Sequence, residues 1–131
     1  MGYSVGKGKR SGFGIGQFLV GVLDGEVFKT VTKVGTGLTD EQFRELNEKL
    51  KNLRTKEQPK EYSVDKNLEP DYWVIPKIVV ELAADEITVS PKHTSVLALR
   101  FPRLVNFRDD KSSKEATTLK ELRDMFKLQK N

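Results

Sequence analysis

The chain has 131 residues, with 23 Lys and Arg against 19 Asp and Glu for a formal net charge of +4, a length that suits one domain with a real core. A charged fraction of 32% beside a hydrophobic fraction of 37% is the mix of a globular protein with a wet surface, and clustering of charge says more about partners than this small net excess. The absence of cysteine excludes disulfides and thiolate metal sites, the single histidine, His93, leaves none in reserve for a zinc site or a Ser-His-Asp triad, and no apolar run approaches the roughly 18 residues of a membrane span.

No secretory core opens the sequence, because Gly6 to Gly16 is glycine-rich and basic. An intracellular, reducing compartment is therefore expected. The segment 1–14 reads as a basic loop with Lys7, Lys9 and Arg10 among its glycines. A nucleotide P-loop is excluded by the spacing from Gly2 to Lys7 and by Gly8, where Ser or Thr should stand. A dinucleotide fingerprint fails as well, since no strand precedes the glycines. Two readings stay open at this point, a loop that tracks a phosphodiester backbone and a terminal arm whose charges only keep it soluble.

Ile15 to Leu23 is nearly all apolar and reads as a buried strand. Asp24-Gly25 supplies a type I′ hairpin turn, and Glu26 to Val34 is the return strand. Thr39 and Gln42 form a capping box for a helix whose Phe43, Leu46, Leu50 and Leu53 share one face. Its charged residues, among them Glu45, Glu48, Lys49 and Lys51, read as a solvated face.

Residues 54–70 are polar and bracketed by prolines, which predicts a surface connection with one short strand near Tyr62. Trp73 lies beside Pro70 and Pro76 and is expected to plug the edge of a core, with an exposed base-stacking role as the sharper alternative. Lys77 to Ser90 is the longest strand candidate. Its apolar parity reverses between Leu82 and Ile87, so a bulge or bend is expected near Ala83–Glu86.

Val96 to Phe101 and Leu104 to Arg108 continue as strand around a bend at Pro102, with Val105 and Phe107 on one face. A final helix over 117–128 carries Leu119, Leu122, Met125 and Phe126. Some five strands, an inserted helix and a terminal helix suggest a mainly β fold, a five-stranded Greek-key barrel of the OB type filling 1–131 as a single domain.

The chemistry concentrates between Leu99 and Lys111. Arg100 and Arg103 flank Phe101 and Pro102, which gives two guanidinium forks beside a rigid aromatic wedge. Arg108-Asp109-Asp110-Lys111 follows, a cation pair around two carboxylates that can grip a polyphosphate. The alternative is a barrel strand with surface salt bridges of little individual worth.

The run Leu99-Arg100-Phe101-Pro102-Arg103 followed by Arg108-Asp109-Asp110-Lys111 closely resembles the C-terminal R-x-D-K nucleotidyltransferase motif of ATP-dependent DNA ligases, of the archaeal and eukaryotic replicative type. The resemblance extends in order through Gly6-Lys7-Gly8-Lys9-Arg10-Ser11-Gly12, Lys33-Val34-Gly35-Thr36-Gly37-Leu38-Thr39-Asp40, Pro70-Asp71-Tyr72-Trp73, Ser90-Pro91 and Ala116-Thr117-Thr118. It implies the OB-fold domain of an enzyme that seals nicked duplex DNA through enzyme-adenylate and DNA-adenylate intermediates, using ATP and Mg2+.

On that resemblance, Arg108, Asp110 and Lys111 assist self-adenylation by orienting the ATP phosphates. Arg100, Phe101, Arg103, Lys7, Lys9 and Arg10 would contact nicked double-stranded DNA. The adenylation domain of the same ligase is the implied protein partner, with no membrane and a monomeric state. The implied location is the nucleoid of a prokaryote or the nucleus of a eukaryote. No metal ligand set and no cofactor are expected on this domain alone.

The family's K-x-D-G nucleophile motif does not occur here, since Asp24-Gly25 is preceded by Val22-Leu23. This chain alone is therefore expected to be inactive. A piece of a larger ligase is expected rather than a separate protein, with the first barrel strand cut short near Met1. A free-standing OB module that stacks single-stranded nucleic acid on Tyr72 and Trp73 is the rival reading. A capping-enzyme or RNA-ligase OB domain is a third.

Overall fold

Alternating Val, Thr and Phe side chains fit a pleated surface, and they build the first hairpin. The computed structural model describes residues 1–4, 16–35 and 38–129; the expected roles of Lys7, Lys9, Arg10 and Thr36-Gly37 fall on residues outside them. Strands β1 (Gly2–Ser4), β2 (Gln17–Asp24) and β3 (Val27–Val34) come first; β1 corrects the expectation of loop at the start of 1–14 with no strand ahead of the glycines, because its backbone pairs with β2. β2 and β3 pair antiparallel from Phe18↔Val34 to Asp24↔Val27. The reversal therefore falls on Gly25-Glu26, one residue later than expected. Within it only Gly25 has positive φ, +66°, the sign pattern of a type II′ turn instead of type I′.

The register of this hairpin shifts between Val20 and Gly21, as at a bulge. A Cβ on Gly21 would stand 2.8 Å from the Lys29 carbonyl oxygen, so the two backbones meet too closely for a side chain. Gly21→Ala is expected to lower stability by about 1–3 kcal/mol, read as a lower urea midpoint at unchanged slope.

Helix α1 (Asp40–Lys51) begins at the expected capping box, with Thr39 and Gln42 each accepting from the other's backbone N–H. It buries Phe43, Leu46 and Leu50 against Phe18, Val34, Val74 and Leu104, the first of two core clusters. The 54–70 connection holds more structure than one strand. It contains β4 (Arg54–Thr55), β5 (Tyr62–Ser63) and a 3-10 turn over Lys66–Leu68. Tyr62 explains why: it is buried, donates its hydroxyl to the Val74 carbonyl at 2.6 Å and meets Phe28 edge-on. With β6 (Tyr72–Val74) these strands complete a six-stranded sheet in the order β4-β6-β1-β2-β3-β5. Trp73 is half-buried with its ring 6.2 Å from Tyr62.

The strand candidate 77–90 starts later than expected and breaks in two, as β7 (Val80–Ala83) and β8 (Glu86–Val89). The parity change at Ala84-Asp85 is a full corner instead of a bulge, because the chain changes partner there. Its mirror lies at Phe101-Pro102, between β9 (Leu97–Arg100) and β10 (Arg103–Phe107). β7 pairs with β10 and β8 with β9, so the two corners of the ribbon face each other across Ala83↔Arg103 and Glu86↔Arg100.

A second shift, between Leu104 and Asn106, changes the expected faces of β10. Leu104 is buried and Phe107 packs on the same cluster, whereas Val105 points outward. One extra residue at the bulge undoes a strict period of two.

Side-chain hydroxyls curl the ribbon onto the sheet. Thr30 and Thr94 exchange two 2.9 Å bonds from backbone N–H to hydroxyl, and Thr32 Oγ1 donates to the Leu99 carbonyl. Helix α2 (Leu119–Leu128), capped by Thr118 and Glu121, closes the second cluster of Val22, Val31, Leu97, Leu119 and Leu122. Phe126 packs there, while Met125 is exposed; at 100° per residue it lies well off the stripe through 119, 122 and 126. The architecture is mainly β with two helices, a curled sheet of the OB type. No helix among the described residues is long and apolar enough to cross a membrane.

In the β8–β9 loop, His93 Nδ1 lies 2.9 Å from Ser90 Oγ. Burial, with Lys33 nearby, holds its pKa below the ordinary 6.5. The unfolded chain then binds more protons over the window just below pH 6.5, so this contribution is complete above it and lost as pH falls. A His93→Gln chain is expected to lose less melting temperature than the parent between about pH 7 and pH 5.5.

Candidate functional site

Strand β10 carries a cationic device at each end, separated by roughly 15 Å of strand rise. The first is the corner. Phe101 sits there with φ +53° and 63% of its surface exposed, a backbone region that bulky residues rarely occupy. The Arg100 guanidinium lies 5.3 Å from its ring centroid. Arg103 Nη1 donates to the Phe101 carbonyl at 3.0 Å and to Asp85 Oδ1 at 2.9 Å, and Arg100 Nη1 reaches Glu86 Oε1 at 3.3 Å. Three of the six residues expected from sequence as DNA contacts are thus brought together, with an exposed ring beside the Arg100 guanidinium and Arg103 on the Phe101 carbonyl.

The second device is the turn after β10. Arg108 N–H donates to the Val79 carbonyl and Lys111 N–H to the Arg108 carbonyl, which fixes both ends of the turn. Arg108 forks onto Asp110 through Nε at 3.0 Å and Nη2 at 2.9 Å. That fork holds the Asp110 carboxyl below its usual range and pushes the guanidinium pKa up. Arg108 Nη1 and the Lys111 ammonium make no ion pair with the described residues. Both are cationic donors of a kind that can take an anion, and the Asp110 fork fixes the orientation of the guanidinium. Arg108 and Lys111 also line a cavity of about 470 Å³ inside the curled sheet, walled by Leu82, Ile87 and Leu99.

Three supporting charges, Lys49, Asp85 and Glu86, were not singled out in the sequence. Lys49 pairs with Glu45 on the helix face expected for it and also reaches beyond that face. Its Nζ reaches Asp109 Oδ1 at 2.6 Å and lies 5.2 Å from the Phe107 ring centroid. It tethers α1 to the 108–111 turn and turns Asp109 away, leaving Asp110 to Arg108. Sixty residues of separation hide this pairing. Asp85 and Glu86, by contrast, lay inside the span where a bend was expected, and that bend was the available signal.

Tyr72 carries the Arg54 guanidinium 4.6 Å from its centroid and the Tyr3 ring at 5.2 Å. No group of three metal-ligating side chains occurs among the described residues.

Residues 11–111 match the family described as the ATP dependent DNA ligase C terminal region. The chain belongs to this DNA ligase family. As a ligase C-terminal region it is similar to a probable DNA ligase of Dictyoglomus turgidum, 47% identical over 140 residues covering 99% of this chain and 24% of that protein. The DNA ligase of Sulfurisphaera tokodaii is 42% identical, over 98% of this chain and 23% of that protein. Among solved structures, the ligase domain of M. tuberculosis LigD superposes with a TM-score of 0.70 at 26% identity, covering 88% of this chain and 35% of that one. This ligase region thus spans about a quarter of the length of the relatives it matches.

Proposed function

We propose that this chain acts as the OB domain of an ATP-dependent DNA ligase and serves nick sealing at two separate surfaces. The Arg100-Phe101-Arg103 corner binds duplex DNA, with the ring at the minor groove and the guanidinium groups on phosphates. Lys7, Lys9 and Arg10 add backbone contacts. The Arg108–Lys111 turn lends cations to the phosphates of ATP during self-adenylation, a reaction whose nucleophile belongs to an adenylation domain. ATP and Mg2+ are cofactors of the whole enzyme in this reading, and the chain alone retains neither.

The observation that carries the reading is the division of labour on β10. The corner offers an exposed ring with cations, the geometry of a groove wedge, and the turn offers Lys111 and Arg108 Nη1, the geometry of a phosphate grip. The single-strand reading has less support, because Arg54 and Tyr3 already pack on Tyr72, and Trp73 packs near Tyr62.

Titration of the chain with nicked duplex and with single strand over a range of salt tests the proposal. Preference for the nicked duplex is expected, with log K falling by about 0.9 per phosphate contact for each unit of log salt. Arg103→Ala should reduce that slope by about one. A clear single-strand preference would overturn the reading.

A further inference from the structure

We propose that Asp85 is a positioning residue for duplex binding, holding Phe101 and Arg103 in the shape that meets the groove. This rests on the reading of the 100–103 corner as a duplex contact. Asp85 grips the corner twice: its backbone N–H donates to the Arg100 carbonyl at 2.9 Å, and its carboxylate takes Arg103 Nη1 at 2.9 Å. The same Nη1 donates to the Phe101 carbonyl. One chain of bonds therefore runs from the β7–β8 corner through Arg103 to the residue with φ +53°.

A bulky residue stays in that backbone region only where its surroundings over-determine it, and the Asp85–Arg103 linkage does so. Nη1 alone is engaged by the described residues; Nη2 and Nε of Arg103 stay open to a phosphate. The carboxylate therefore aims the fork without blocking it.

Charge and position predict opposite signs. An acidic side chain beside bound DNA repels phosphate, so its removal on charge grounds alone tightens binding. Positioning predicts weakening. Equilibrium binding of a nicked duplex to the 131-residue chain is the test, with Asp85→Ala and Asp85→Asn compared. Both lose the same charge, but asparagine keeps an acceptor oxygen for Arg103.

Asp85→Ala is expected to weaken binding by about three- to tenfold with an unchanged salt slope, and Asp85→Asn by less than about twofold. An Asp85→Ala chain that is folded by circular dichroism and binds as tightly as the parent, or tighter, overturns the proposal. Should the alanine variant fail to fold, equal tightening by Asp85→Asn does the same. Phe101→Gly separates the two levels of argument, because glycine accepts φ +53° freely and should leave stability intact while weakening binding. If Phe101→Gly binds like the parent, the duplex reading of the corner fails; if it weakens and Asp85→Ala does not, only the positioning role fails.

Discussion

Lys111→Ala is expected to slow enzyme-lysine adenylation by about two orders of magnitude while leaving nicked-duplex affinity within about twofold. The measurement uses a chimera in which this chain replaces the matching quarter of the Sulfurisphaera tokodaii DNA ligase, which it resembles at 42% identity. Lys111 forms no ion pair among the described residues and acts on Asp110 and Glu121 only through its field, whereas Arg108 is already forked on Asp110. A donor aimed at developing phosphate charge acts where water is excluded, and there its loss is costly. Asp110→Asn should give a smaller loss, because it only loosens the aim of Arg108. Equal effects of Lys111→Ala on adenylation and on duplex binding would show that the two ends of β10 are not separate devices.

Phe43→Ala is expected to cost about 3–5 kcal/mol of stability. Phe43 is 1% exposed and is the largest side chain that α1 buries, among Phe18, Leu46, Val74 and Leu104. No neighbouring element can collapse into its place without dragging β2, β6 and β10. For a domain of this size the melting temperature should fall by roughly 10 °C or more. The same change loosens the helix that carries Lys49, so the 108–111 turn loses its tether to α1. Adenylation by the chimera should therefore fall at temperatures where the fold survives. A melting point within about 3 °C of the parent would place the core elsewhere than at α1.

The elements that local chemistry dictates were legible in the sequence. The Thr39–Gln42 capping box and its helical stripe located α1, and the apolar residues Leu119, Leu122 and Phe126 located α2, whose first helical residue is Leu119 instead of residue 117. The parity reversal between Leu82 and Ile87 located the ribbon corner, although not its severity: a period of two shows that phase is lost, not that the strand changes partner. Bulges at Val20/Gly21 and Leu104/Asn106 escaped because one extra residue leaves no compositional mark. Arg100, Phe101 and Arg103 were legible as one group, and Arg108, Asp110 and Lys111 as another. What escaped were their supports: Asp85, Glu86 and Lys49 are ordinary surface charges until the fold brings them across 14 to 60 residues.

The decisive measurement is nick sealing by the Sulfurisphaera tokodaii ligase, stripped of its matching quarter and then refitted with this chain. The truncated enzyme is expected to seal poorly and the fused chain to restore sealing, in a manner that requires both Lys111 and Phe101. A fused chain that folds yet leaves sealing at the level of the truncated enzyme would contradict this expectation.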